Sequence, residues 1–149
     1  VKRAAKRIKN VTFFVGNIAA IPIADRSIDV LTHIFAPMHG ECARVLKDDG
    51  VLFQVVPGKR HLWQMKQARY DKPYESDQAS NLPPCFHAVE EIRVADIVTV
   101  PHEDLGNLLK MTPYAYKTSE AATKRFLEMP ELKTETEFII YKAIKDRRP

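Results

Sequence analysis

The sequence predicts an α/β domain with a mainly parallel sheet and an antiparallel strand at its carboxyl end. Three observations carry this. Strand-like and helix-like segments alternate at short spacing from Val11 to Tyr70, the rhythm of parallel strands joined by helices. Ile28 to Phe35 is apolar along most of its length, as in a central strand covered on both faces. The segment Thr134–Ile144 alternates Thr and Glu with Phe138, Ile140 and Ala143, a pattern that suits an antiparallel edge position.

Each element follows in order. Val1 to Lys9, rich in Ala, Lys and Arg, reads as the end of a helix. Val11–Val15 is β-branched and aromatic and is expected as a strand, ended by Gly16-Asn17. Ile21–Ser27 is a loop fixed by Pro22. After the strand Ile28–Phe35, His39–Lys47 is expected as a helix with Gly50 as its left-handed cap. Val51–Val56 is a strand stopped by Pro57-Gly58, and Leu62–Tyr70 a basic helix. Asp71–Pro84 holds three prolines among Ser, Asp and Asn and reads as a mobile loop. Val89–Val100 is a strand. Pro101 and the acids Glu103 and Asp104 suit the first turn of a helix running to about Met111. Ser119 N-caps a further helix through Met129.

The 149 residues suit one domain, and 45% hydrophobic with 28% charged residues gives it enough apolar surface for a core. No apolar run approaches the roughly 20 residues that span a bilayer. The net charge is +4, gathered in three clusters: Lys2, Arg3, Lys6, Arg7 and Lys9; Lys59 to Lys72; and Lys142 to Arg148. Each can serve a polyanion, but the plainer reading of each, a solvated helix face, is the favoured one. Cys42 and Cys85 lack zinc spacing, and no metal site is expected. Unpaired cysteines suit a reducing, cytoplasmic compartment. The chain opens on Val1 within a helix-like pattern with no N-cap ahead, so an upstream piece is expected.

Three pieces carry chemistry by their order. A strand end at Gly16-Asn17 leads to the loop Ile21-Pro22-Ile23-x-Asp25-x-Ser27-x-Asp29. A second strand ends at Phe35-Ala36-Pro37. Glu41-x-x-Arg44-Val45-Leu46-Lys47-x-x-Gly50 feeds the next strand. Together they resemble the second half of a class I S-adenosylmethionine-dependent methyltransferase, a Rossmann-like fold whose crevice lies at the carboxyl ends of parallel strands. Val56-Pro57-Gly58-x-Arg60-His61-Leu62 and Leu109-x-Met111-Thr112-Pro113-Tyr114-Ala115 narrow the resemblance to the large-subunit (23S) ribosomal RNA (guanine-N1)-methyltransferases. That family also carries a four-ligand zinc module, a Gly-x-Gly loop and an acidic strand end, none of which has a counterpart here. The resemblance therefore implies a partial methyltransferase domain, truncated at its N-terminus. Residues 1–70 would form the second half of the cofactor-binding core, 71–84 a loop, and 85–149 the substrate side.

The resemblance implies the following roles. S-adenosylmethionine would be the methyl donor. Asn17 and Ile18 would lie beside its adenine, although Asn17 is equally a turn residue. Phe35, Ala36 and Pro37 would border the transferred methyl and a flipped guanine. His61 would sit near the cofactor, contacting its methionine part or taking the guanine N1 proton. Lys59, Arg60, Lys66 and Arg69 would contact RNA phosphates beside Trp63 and Tyr70, which could stack on bases. The plain helix alternative buries Leu62 and Met65 and keeps the charges wet. Met111–Tyr114 would wall the target pocket or simply stop a helix. Asp25 and Asp29 would shape their loop. His33, His39, His87 and His102 carry no assigned role.

The expected function is N1-methylation of a guanine in 23S rRNA by a chain that meets ribosomal RNA, meets no membrane, and has a homodimer among its possible forms. A small-molecule methyltransferase of the same fold would not need the basic Lys59–Lys72 segment. A non-catalytic RNA- or partner-binding fragment would not bind the methyl donor.

Overall fold

A computed structural model describes residues 1–36, 39–76, 82–112 and 119–146. Helix α1 (Lys2–Arg7) opens the chain, buries none of its residues and carries Lys6 and Arg7 in its last turn, where the helix dipole favours cations.

The stretch Val11–Val15, expected as a strand, pairs with nothing among the described residues, and Val15 is 83% exposed. β-Propensity measures fit to a pleated neighbour, and no described strand lies alongside. The chain then enters a β–α–β unit: β1 (Ile28–Ile34), α2 (Glu41–Val45) and β2 (Leu46–Pro57). β1 and β2 run parallel, in register from Val30 opposite Val51 to Ile34 opposite Val55.

α2 is shorter than expected because β2 begins at Leu46, and the Asp48-Asp49-Gly50 segment lies within that strand. Gly50 is therefore not a helix cap, and no described glycine has a positive φ. It is needed for space: a Cβ there would lie 2.7 Å from Leu46 Cγ and 3.1 Å from the Asp29 carbonyl oxygen. The β1–β2 register slips at this point, between Ile28 and Val30.

Downstream come α3 (Trp63–Arg69), β3 (Phe86–Pro101), α4 (His102–Lys110), α5 (Glu120–Leu127) and β4 (Glu131–Lys145). The expected cap of α5 is present: Ser119 Oγ accepts from Ala122 N at 3.2 Å.

The four strands form one sheet in the order β1-β2-β4-β3. β2–β4 and β3–β4 are antiparallel. The sheet is thus mixed, with one parallel pair, and not mainly parallel. β4, expected at an edge, is interior, bonded on both sides. Among the described strands the edges are β3 and β1. β3 is exposed over almost its whole length, with Val94 45% and Ile97 58% accessible. β1, expected as a central strand covered on both faces, is bonded on one side only and leaves Val30 and Ile34 exposed.

Two clusters form the core. Leu46, Leu52, Phe86 and Ala143 pack on the sheet. Leu62, Met65, Leu105, Leu109, Phe126 and Leu132 join α3, α4 and α5 to β4. The second cluster anchors α3, and so the loop ahead of it, at the carboxyl ends of β1 and β2.

Candidate functional site

β1 ends in a backbone conformation that aromatic residues seldom adopt. Phe35 has φ 52°, in the left-handed region that disfavours side chains. Its N–H still reaches Val55 O at 3.2 Å, so the last rung of the parallel ladder holds it. The ring is turned out, half exposed. It lies 5.6 Å from the His61 ring and 5.7 Å from that of Phe138, and these two are 4.7 Å apart. Three rings from three elements therefore meet where β1 and β2 end, the position where open α/β sheets bind ligands. Ala36 follows, exposed. Pro37 and the 113–118 part of the Met-Thr-Pro motif lie outside the described residues.

The loop after β2 is stitched to β4. Gly58 N donates to Glu137 O at 2.8 Å and Leu62 N to Glu135 O at 2.7 Å. Leu62 takes a left-handed φ of 54° just ahead of α3. Arg60 N donates to Glu137 Oε2 at 2.9 Å, and Arg93 to Glu137 Oε1 at 2.9 Å. Glu137 N donates to His61 Nδ1 at 3.3 Å. A Cβ on Gly58 would fall 2.2 Å from Glu137 Cγ, so any larger residue there must displace this carboxylate.

Arg60 grips Glu135 with two hydrogen bonds of 2.7 Å and lies 5.0 Å from the Trp63 ring centre. Gln64 Nε2 donates to the same carboxylate, while Gln64 Oε1 accepts from Glu135 N and Thr134 Oγ1. Together these donors hold the Glu135 carboxyl at about 2. Burial pushes the His61 imidazole below its ordinary value.

A second node shapes the loop before β1. Arg44 donates to the carbonyls of Ile21 and Ile23 and pairs with Asp25 at 2.6 Å and Glu41 at 2.7 Å. Hydrogen bonds from Arg44 and from Ile21 N hold Glu41 at about 2. Asp29 pairs with Lys47 at 2.6 Å. Because the folded values of Glu41 and Glu135 lie below the ordinary carboxylate range, the unfolded chain binds more protons. Their stabilisation is complete above about pH 4.5 and is lost as pH falls towards about 2. In urea titrations between pH 7 and pH 2, Glu135→Gln is expected to flatten this acid limb and leave a lower plateau at pH 7.

The other expected site residues are placed differently. Asn17 Oδ1 accepts from Ala19 N at 2.9 Å, and Ala20 N donates to Asn17 O. The side-chain oxygen of Asn17 therefore serves its own turn. Lys66 and Arg69, expected at RNA phosphates, are buried. Lys66 Nζ donates to Ser76 Oγ at 2.7 Å and Tyr74 O at 3.2 Å, tying residues 74–76 to α3. Arg69 donates to Thr123 Oγ1 and lies over the Phe126 ring. Lys59 pairs weakly with Glu75 at 3.9 Å. Free charge lies elsewhere: Lys2, Arg3, Lys6, Arg7 and Lys9 are exposed, with no ion-pair partner among the described residues.

Sequence reasoning missed Glu135, Glu137 and Phe138. One signal was available: Glu135 and Glu137 share a strand face with Ile139, so two carboxylates point where an apolar residue is buried.

Comparison with solved structures places the fold. A crystal structure of a provisionally assigned methyltransferase of Bacillus halodurans C-125 matches with a TM-score of 0.50 at 18% identity, over 89% of this chain and 70% of that one. The chain has a mixed α/β fold consistent with the class I methyltransferases. No family model matches it. Curated relatives do. A Bacillus subtilis (strain 168) protein provisionally named a 23S rRNA (guanine-N(1)-)-methyltransferase is 30% identical over 135 residues, 87% of this chain and 48% of its own length. The 23S rRNA (guanine(748)-N(1))-methyltransferase of Streptomyces fradiae is 27% identical over 137 residues, 87% of this chain and 49% of its own length. By sequence the chain is a homologue of the 23S rRNA (guanine-N1) methyltransferases, and it spans about half the length of these relatives.

Proposed function

We propose that the chain forms the base-receiving side of an enzyme that methylates N1 of a guanine in 23S rRNA with S-adenosylmethionine as donor. The observation that carries this is the Phe35–His61–Phe138 ring cluster at the carboxyl ends of β1 and β2. Rings so placed can stack on a base withdrawn from its helix. The relatives supply the reaction class.

The residues present fit the donor in part. Asn17 has spent its oxygen on Ala19 N, which leaves its amide nitrogen to donate to a purine ring nitrogen, with half-buried Ile18 beside it. The donor supplies an electrophilic methyl on sulfur. The chain's own share is stacking and orientation of the guanine. Of the four cations first expected to hold RNA, Lys59 and Arg60 remain candidates, and the five cations of the α1 segment join them. A ribosomal substrate fits a cytoplasmic location.

N1-methylguanine cannot form a Watson–Crick pair, so incubating 23S rRNA with the protein and S-adenosylmethionine should create a new reverse-transcription stop at a guanine. Binding of a 23S rRNA hairpin should weaken steeply with salt, by about 0.7 logarithmic units per phosphate contact on single strands. Replacing Lys2, Arg3, Lys6 and Arg7 with Ser should reduce that slope by roughly 2–3, whereas Lys66→Met should leave it unchanged. A salt-independent interaction without a stop overturns the proposal. A steep slope without a stop marks a binding module.

A further inference from the structure

The hydrogen bond at His61 decides what that ring can do. Its Nδ1 accepts from Glu137 N. A neutral imidazole accepting at one nitrogen carries its proton on the other. Nε2 has no partner among the described residues, and it is not a buried orphan. We infer that His61 is not the base that removes the guanine N1 proton but a fixed Nε2–H donor that reads guanine O6. This rests on the guanine reading above and sharpens it.

The surroundings keep the ring in that state. Phe35 and Phe138 cover it. The charged groups facing it are Lys66 from α3 and Glu137 from β4. Glu137 is itself committed to Arg60 N and Arg93. Burial holds the ring neutral at ordinary pH. The tautomer follows from the 3.3 Å contact of Glu137 N with Nδ1.

The chemistry balances without a histidine base. The N1–carbon bond forms as the methyl–sulfur bond breaks, its electron pair returning to sulfur. The N1 proton leaves to bulk water. The negative charge released from N1 is shared with O6, where an Nε2–H donor would stabilise it. The same donor rejects adenine, whose six-position bears an amino group and offers no acceptor there.

The test is 15N NMR of the imidazole in this chain, with guanosine 5′-monophosphate and the 5′-monophosphate of 2-aminopurine riboside, which lacks O6, as probes. The expected spectrum at pH 7.5 shows a proton on Nε2 and none on Nδ1. Guanosine monophosphate should shift Nε2 and bind about tenfold tighter than the O6-less analogue. His61→Gln, which keeps a donor at the same reach, should retain most of that preference, and His61→Ala should lose it. A proton on Nδ1, or equal affinity for both nucleotides, overturns the inference and leaves the ring cluster standing as a base site. If neither nucleotide perturbs Phe35, His61 or Phe138, the guanine reading falls as well.

Discussion

Phe126→Ala is expected to cost about 3–5 kcal/mol, the range for truncating a fully buried phenylalanine. Phe126 has no exposed surface and packs with Leu62, Met65, Leu105, Leu109 and Leu132. Removing the ring opens a cavity between α3, α5 and β4. It also strips the aromatic face from beneath the Arg69 guanidinium, now 5.6 Å from its centre, leaving a buried cation with a poorer environment. In a chain this long, such a loss lowers Tm by roughly 6–20 °C. Urea unfolding should show a lower midpoint with an unchanged slope, and Phe126→Leu should recover much of the deficit. A loss under 1 kcal/mol would mean that this cluster does not fix α3. The consequence reaches the site, because α3 carries the loop holding Arg60 and His61.

Gly58→Ala is expected to act at the site directly. The new methyl would sit 2.2 Å from Glu137 Cγ and 2.3 Å from Cδ, so the carboxylate must swing away from Arg60 N and Arg93. Overpacking of this kind costs about 1–3 kcal/mol. His61 should also change, because its ring leans on the Glu137 backbone. The expected signature is a weakened Nδ1 hydrogen bond in the imidazole spectrum, with poorer hairpin binding. Glu137→Ala in the same chain removes the atoms in collision. The double variant should therefore be less destabilised than the sum of the singles. Strict additivity would show that the loop makes room some other way.

Much of this architecture was legible in the residues, and each failure has a physical cause. The β1 turn, the strand β2, the Ser119 cap and the antiparallel direction of β4 follow from local chemistry that tertiary contacts reinforce. Lys66 and Arg69 look like phosphate contacts by charge alone, but their spacing buries them. Leu62, Met65, Lys66 and Arg69 fall at i, i+3, i+4 and i+7, the buried stripe of a helix. Their long stems fill that stripe while the head groups find Ser76, Tyr74 and Thr123. The alternation of Thr and Glu along β4 suits an edge, yet the side chain of Glu137 is absorbed by Arg93 and the loop at Arg60. Val11–Val15 has the composition of a strand, but strandedness needs a neighbour, and composition cannot supply one. In the candidate site, Phe35 and His61 were visible as motif residues. Phe138, which completes the ring cluster, comes from a strand 77 residues further on, and only the β2–β4 register brings it there.

The position of β3 also bears on how the chain behaves in crowded solution. Its sixteen residues bond to β4 along one side and, among the described residues, leave the other side's amides and carbonyls unclaimed. Such a border is a template on which a stray strand can grow. Glu90, Glu91, Arg93 and Asp96 punctuate its apolar residues and act as gatekeepers. Neutralising these four charges is expected to raise the tendency of this border to pair with a stray strand.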